Sequence, residues 1–174
     1  MASFFQDASF TGIAAYLPSL EVESQAKYRE VYAENRHRIY AFAFWMTDSE
    51  LAAEELMTNT FTRVFARTPD ADPEAVDDAF VAELREEMPI GLLTLDCAKV
   101  TERPRVRENT KRIHLERAVV QVPTTERLVF LMHDIEGYGH ERIVRTLGIS
   151  EEESVNALHQ ARLRIRELLA AMKV

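Results

Sequence analysis

Between Leu147 and Arg162 the chain reads Leu-Gly-Ile-Ser-Glu-Glu-Glu-Ser-Val-Asn-Ala-Leu-His-Gln-Ala-Arg. Gly148 stands where a helix can end in left-handed backbone, which glycine adopts without a Cβ penalty. Ser150 with Glu153 three residues on is the capping-box pattern, in which each side chain accepts a hydrogen bond from the other residue's backbone N–H. Ile143, Val144 and Leu147 before the break are expected to point inward. After it, Leu158, Ala161, Ile165, Leu168 and Leu169 form an apolar stripe at helical spacing. The segment therefore predicts helix, tight turn, helix. A DNA-reading helix-turn-helix is built in this way and offers its second helix to the major groove. Yet this second helix opens on Glu151, Glu152 and Glu153. Carboxylates suit the positive end of a helix dipole, but they repel phosphate.

The remaining periodicity is also helical. Phe10, Ile13, Leu17 and Leu20 predict a short amphipathic helix over 10–20 that packs on its own domain. Tyr28, Val31, Tyr32, Ile39, Phe42, Ala43 and Met46 share one stripe of a helix from Gln25 to Met46. Thr47 or Asp48 is expected to cap the next helix, with Leu51, Leu56, Val64 and Phe65 on its buried side. A connection of a few residues makes those two helices antiparallel neighbours. After the break at Pro69 to Pro73, a helix starting at Asp72 or Pro73 is expected to run through Phe80, Val81 and Leu84 toward Glu87. Ile90 to Cys97 is an apolar run whose period fits a buried strand or a buried helix. Residues 99–110 are polar, basic and contain Pro104, and they read as a linker. Helix is expected again from about Thr110 to Gln121. Another starts near Pro123 with Thr124 or Thr125, carries Leu128, Val129, Leu131, Met132 and Ile135, and ends at Gly137. The expected fold is all-α. Two small helical domains, 1–98 and 111–174, are joined by the linker 99–110, and the second is a helix-turn-helix.

Charge is unevenly spread over a chain of net charge −8. Segment 68–98 carries −8 and segment 99–121 carries +4, while 1–67 and 122–174 are nearly balanced at −3 and −1. A nucleic-acid binder usually concentrates positive charge, and here only the middle segment does so. A single cysteine, Cys97, excludes an internal disulfide framework and a thiolate zinc cluster, and fits a reducing cytoplasm. It reads as a buried thiol after an apolar run. No apolar run approaches a membrane span, and Met1 to Leu20 contains no Lys or Arg, so a secretory signal is not expected. His133-Asp134 and His140-Glu141 are the close His/carboxylate pairs, but neither has a second histidine at metal-binding spacing. No metal, no cofactor and no enzymatic constellation is expected.

Two blocks carry a resemblance. Ala53-Glu54-Glu55-Leu56-Met57-Thr58-Asn59-Thr60-Phe61-Thr62-Arg63-Val64-Phe65 resembles the polymerase-binding helix of bacterial RNA polymerase sigma factors of the extracytoplasmic-function type. Val122-Pro123 through Leu168 resembles the promoter-reading domain of the same family, above all at Asp134-Ile135-Glu136-Gly137-Tyr138, Leu147 to Ser150 and Leu158 to Arg162. With the helix at Tyr28–Trp45, the likeness covers roughly 100 residues. It implies a chain that docks on the clamp of core RNA polymerase and directs initiation at promoter DNA. In that reading Glu54, Glu55, Met57, Thr58, Asn59 and Arg63 bind polymerase. Phe80, Arg85, His140, Arg142, Arg145, Ser150, Ser154, Asn156, His159 and Arg162 face DNA. The resemblance also admits an anti-sigma protein as partner.

The chain departs from the family's pattern in three places. Thr58 and Asn59 stand where the family tends to have Gln and Glu, and Phe65 stands for a tryptophan. Residues 74–88 set six carboxylates against Arg85, with Phe80 as their aromatic. In the recognition helix Val155, Ala157 and Gln160 replace three basic positions. A second reading therefore stands beside the first: a sigma-like protein that binds protein partners, with weak or no DNA binding. The basic stretch from Arg103 to Arg112 could be a solvated linker, pair with the acidic segment 70–87, or follow nucleic acid inside polymerase.

Overall fold

The structure, a computed structural model, describes residues 22–68, 71–94 and 111–172. The expected helix at 10–20, the expected linker 99–110 and Cys97 lie outside those residues. Contacts divide the chain into two units, Met1–Glu87 and Met88–Val174.

Three helices are described in the first unit: α1 (Val22–Thr47), α2 (Glu50–Phe65) and α3 (Pro73–Glu87). α1 packs on α2 and α2 on α3. Apolar residues recurring every three or four positions put Ile39, Phe42, Leu56, Phe61, Phe80 and Leu84 into one core. Phe42 stacks on Phe80 at 5.8 Å between ring centroids, and Tyr32 meets Phe61 edge-on at 4.8 Å. Each ring thus adds an oriented contact to its buried area.

The cap of α2 is neither Thr47 nor Asp48. The Thr47 hydroxyl donates to the Ala43 carbonyl within its own helix at 2.8 Å, and Asp48 turns the chain at φ 53°. Ser49 is then extended, and its hydroxyl accepts from the Ala52 N–H. Starting the helix from Ser49 puts Leu51 on the outer face, 77% exposed rather than buried as expected. The inner face is made by Ala53, Leu56, Met57, Thr60, Phe61, Val64 and Phe65. At α3, Pro73 occupies the first turn, where a missing N–H is harmless, and the Asp72 carboxylate accepts from the Ala75 N–H at 2.7 Å. The fully buried Asp77 pairs with Arg38 of α1, whose guanidinium also donates to Asn35 at 2.6 Å.

In the second unit the run beginning at Ile90 is neither helix nor strand as far as Thr94. Gly91, at φ 99°, donates its N–H to the Thr125 hydroxyl at 3.1 Å, and the Thr94 N–H donates to the Glu126 carboxylate at 2.8 Å. These bonds satisfy backbone groups that a ladder would otherwise pair. α4 (Arg112–Val119) and α5 (Thr124–Phe130) follow, and both pack on the last helix. α5 runs directly into a π-helical turn, Leu131–Ile135, marked by the bond from the Glu136 N–H to the Leu131 carbonyl at 3.1 Å. The wider turn leaves Ile135 60% exposed, while Leu131 and Met132 stay in the core. Gly137 then ends the segment at φ 73°. α6 (His140–Leu147) and α7 (Glu151–Ala171) complete the unit. Val144 and Leu168 are half-buried, whereas Ile143, Leu147, Leu158, Ala161, Ile165 and Leu169 are buried as their spacing predicts.

Candidate nucleic-acid interface

α6 and α7 meet at Gly148, whose φ of 63° and ψ of 34° place it in the left-handed region. The Gly148 N–H closes α6 on the Val144 carbonyl at 2.9 Å. Ser150 restarts the chain as the N-cap of α7. Its hydroxyl accepts from the Glu153 N–H at 3.2 Å, and the Glu153 carboxylate accepts from the Ser150 N–H at 2.7 Å. Those bonds hold the Glu153 carboxyl below its usual range, so it stays ionised at the positive end of the helix. Of the three opening glutamates, Glu153 is therefore a capping residue. Glu151 and Glu152 are exposed and point their charge outward.

The solvent face of α7 carries Glu152, Val155, His159, Arg162 and Arg166, with Asn156 half-buried at its edge. Val155 is 47% exposed. Arg162 is the first Lys or Arg of this helix. It is engaged by the π turn: its Nε and Nη2 donate to the Asp134 carboxylate at 2.9 and 2.5 Å. This two-point pairing, helped by His133, holds the Asp134 carboxyl below its ordinary range and raises the Arg162 guanidinium.

Several expected DNA-facing residues lie elsewhere. Phe80 is fully buried against Phe42, so it offers no ring to an unstacked base. Ser154 is also fully buried; it hydrogen-bonds His140 Nδ1 at 2.8 Å and secures α6 to α7. Both belong to the structural core and are withdrawn from the interface. Arg142 lies over the Tyr138 ring, 3.9 Å from its centroid, a stacked position that holds it at the start of α6. Arg145 is exposed and faces Glu141 at 3.3 Å, a pair of little energetic weight. Arg85, Ser150 and His159 are exposed.

The rings of His133 and His140 approach to 4.9 Å, joining the π turn to α6. Burial, with His133 alongside, holds the His140 imidazole below its ordinary pKa, and Glu151 opposes the shift. Sequence reasoning treated the two histidines as separate pairs. Their separation of seven residues becomes a contact only because the chain turns at Gly137. Among the described residues no group of three or more His, Cys, Asp or Glu side chains is placed to hold a metal ion.

In the first unit, Glu54, Glu55 and Asn59 are exposed on the outer face of α2, with Thr58 half-exposed and Leu51 beside them. Met57 is 7% exposed and belongs to the core, contrary to its expected place in the docking face. Arg63 pairs with Glu83 and Glu86 of α3, and its charge is spent inside the unit. Leu51, assigned by spacing to the buried stripe, is exposed instead. Tyr40 and Phe44, at a spacing of four residues, stack at 6.4 Å and are half-buried.

A glycine-hinged helix pair, a capped second helix and an exposed stripe along it define the second unit as a helix-turn-helix of the DNA-reading class. Residues 112–165 match the family model of sigma-70, region 4. The chain is also similar to the ECF RNA polymerase sigma factor SigE of Mycolicibacterium smegmatis. The two are 24% identical over 178 residues, spanning 92% of this chain and 68% of that protein. The second unit is thus similar to region 4 of sigma-70 factors, and most of the chain is similar to a sigma factor of the extracytoplasmic-function type.

Proposed function

We propose that the chain binds core RNA polymerase and directs promoter-specific transcription initiation, a role without covalent chemistry. The match of residues 112–165 to sigma-70 region 4, on a helix-turn-helix whose second helix keeps a solvent-exposed stripe, carries this reading. The resemblance of the first unit supplies the complementary half. The outer face of α2, with Leu51, Glu54, Glu55, Thr58 and Asn59, is the proposed polymerase-docking surface. It combines one large exposed apolar side chain with a carboxylate rim. In the second unit, Val155, Asn156, His159, Arg162 and Arg166 would meet the duplex. Arg142, Arg145 and Ser150 flank them, and His140 supports the start of α6.

A sigma factor works where the polymerase is, so the proposed location is the cytoplasm. No helix among the described residues is long and apolar enough to cross a membrane. Residues 99–110 are proposed to connect the two functional halves. An anti-sigma partner, which the resemblance admits, would compete for the α2 face. Nothing favours the alternative of a sigma-like protein confined to protein partners.

The test is reconstitution: purified chain is added to sigma-free core polymerase, and transcripts are sought from genomic fragments. The expected result is initiation at a defined set of sites that core alone does not use. Stable binding to core without any new transcript would overturn the promoter-reading half. Absence of core binding would overturn the whole reading.

A further inference from the structure

Arg162 stands at a junction of two demands. It is the first cation along α7, since the residues from Glu151 to Ala161 contain no Lys or Arg. It is also 45% exposed at its side chain, on the face that a duplex would meet. Yet two of its five N–H groups already donate to Asp134. Asp134 is 23% exposed at its side chain and sits on the π turn, where the backbone has just been widened by one residue. The His133 ring is bonded at 2.9 Å to Oδ1 of the same carboxylate, the oxygen that also accepts from Arg162 Nη2. The charged and titratable groups that face this pair are His133 on the π turn and His140 on α6, and Glu151 on α7 faces His140 in turn.

We propose that Asp134 is an electrostatic latch on the recognition helix: it occupies Arg162 in the free protein, and Arg162 exchanges this carboxylate for a DNA phosphate on binding. The inference rests on the promoter-reading role proposed above. A carboxylate and a phosphate present similar paired oxygen acceptors to a guanidinium, so one planar fork serves both. The exchange replaces one anion by another and needs no large movement of the helix. Its consequence is selectivity. Non-specific DNA must displace Asp134 without compensating base contacts, whereas the cognate element supplies them. Asp134 is therefore a positioning residue that lowers background binding by a chain whose recognition helix is otherwise poor in positive charge.

The salt dependence of DNA binding isolates the latch. The full-length chain is titrated onto a random-sequence duplex at several salt concentrations, as wild type, Asp134→Asn, Arg162→Gln and the double variant. On random-sequence DNA, which supplies no base contacts to offset the exchange, the latch stays closed in the wild type; Asp134→Asn frees Arg162 for one more phosphate contact and should steepen the slope of log K against log salt by about one. Its advantage over wild type should shrink about three- to fourfold between about 50 and about 200 mM salt. In the Arg162→Gln background the same substitution should leave the slope unchanged. An equal gain in both backgrounds would mean that Asp134 acts only as a diffuse charge, and the latch would be overturned. An unchanged slope in Asp134→Asn, or no binding by any variant, would overturn it as well. Arg162→Lys is the check on folding. Lysine cannot make the two-point pair but can meet a phosphate, so it should show a slope at least as steep as wild type, with unchanged helix content. The role in initiation is judged separately, by transcripts from core polymerase. A variant series flat in salt slope alongside normal initiation would remove the latch and leave that role standing.

Discussion

His140 shows how a single side chain couples the second unit to pH. It bonds the buried Ser154, touches His133, and has its pKa lowered, first by burial and then by His133. The unfolded chain then takes up this proton at higher pH than the folded chain does. Above the ordinary imidazole pKa of 6.5 both states are neutral at this site, and it contributes no pH dependence. As the pH falls below that value the unfolded state gains the proton first, and stability declines until the folded state is protonated too. Urea unfolding followed by circular dichroism should therefore show the midpoint falling as the pH drops below the ordinary imidazole value of 6.5. His140→Gln should flatten that fall; an equally steep fall in the variant would assign it to other groups. Gly148 makes a conformational demand. At φ 63° an alanine is strained, and Gly148→Ala should lower stability by about 1–2 kcal/mol, read as a lower urea midpoint with unchanged slope.

At the scale of an element, α7 separates folding from binding within three consecutive glutamates. Glu153 is consumed by the cap, whereas Glu151 and Glu152 are free to act on a ligand's charge. The double substitution Glu151→Gln and Glu152→Gln should therefore raise affinity for a duplex at low salt, with helix content maintained. Glu153→Gln removes the charge from a carboxylate whose pKa is lowered by the cap, and should lose stability with little gain in binding. If the double variant binds no better than wild type in a salt titration, charge is not what limits this helix. The helix was legible in advance because Ser150, Glu153 and the apolar stripe are local signals. The π turn was not. Its widened hydrogen bond at Leu131 leaves no mark in a periodicity that still reads as helix, so the exposure of Ile135 could not be read from it.

At the scale of the molecule, the first unit depends on a charge pair that periodicity cannot reveal. Asp77 belongs to the acidic segment that sequence alone assigned to the DNA-facing side, yet it is fully buried and paired with Arg38. Glu83 and Glu86 of that segment are likewise engaged by Arg63. Much of the segment's negative charge therefore fastens α3 to its neighbours. Removing one partner of a buried pair leaves the other uncompensated, so Asp77→Asn should cost about 3 kcal/mol. The single tryptophan, Trp45, lies in the first unit and reports its unfolding by fluorescence. A change below about 1 kcal/mol would mean that Arg38 finds full compensation elsewhere.

The sequence by itself determined what depends on neighbours along the chain. Helical periodicity, the glycine turn, the capping box at Ser150 and the two blocks of resemblance are short-range patterns, and they suffice for an all-α chain with a C-terminal helix-turn-helix. The tertiary structure decided what each exposed-looking residue is free to do. It buried Phe80, Met57 and Ser154, brought Leu51 to the surface, and assigned Arg63 and Arg162 to carboxylates more than 19 residues away in sequence. The physical reason is that a side chain's chemistry depends on burial and on its nearest charges. Both are set by packing between elements, and the order of residues along one helix does not contain them.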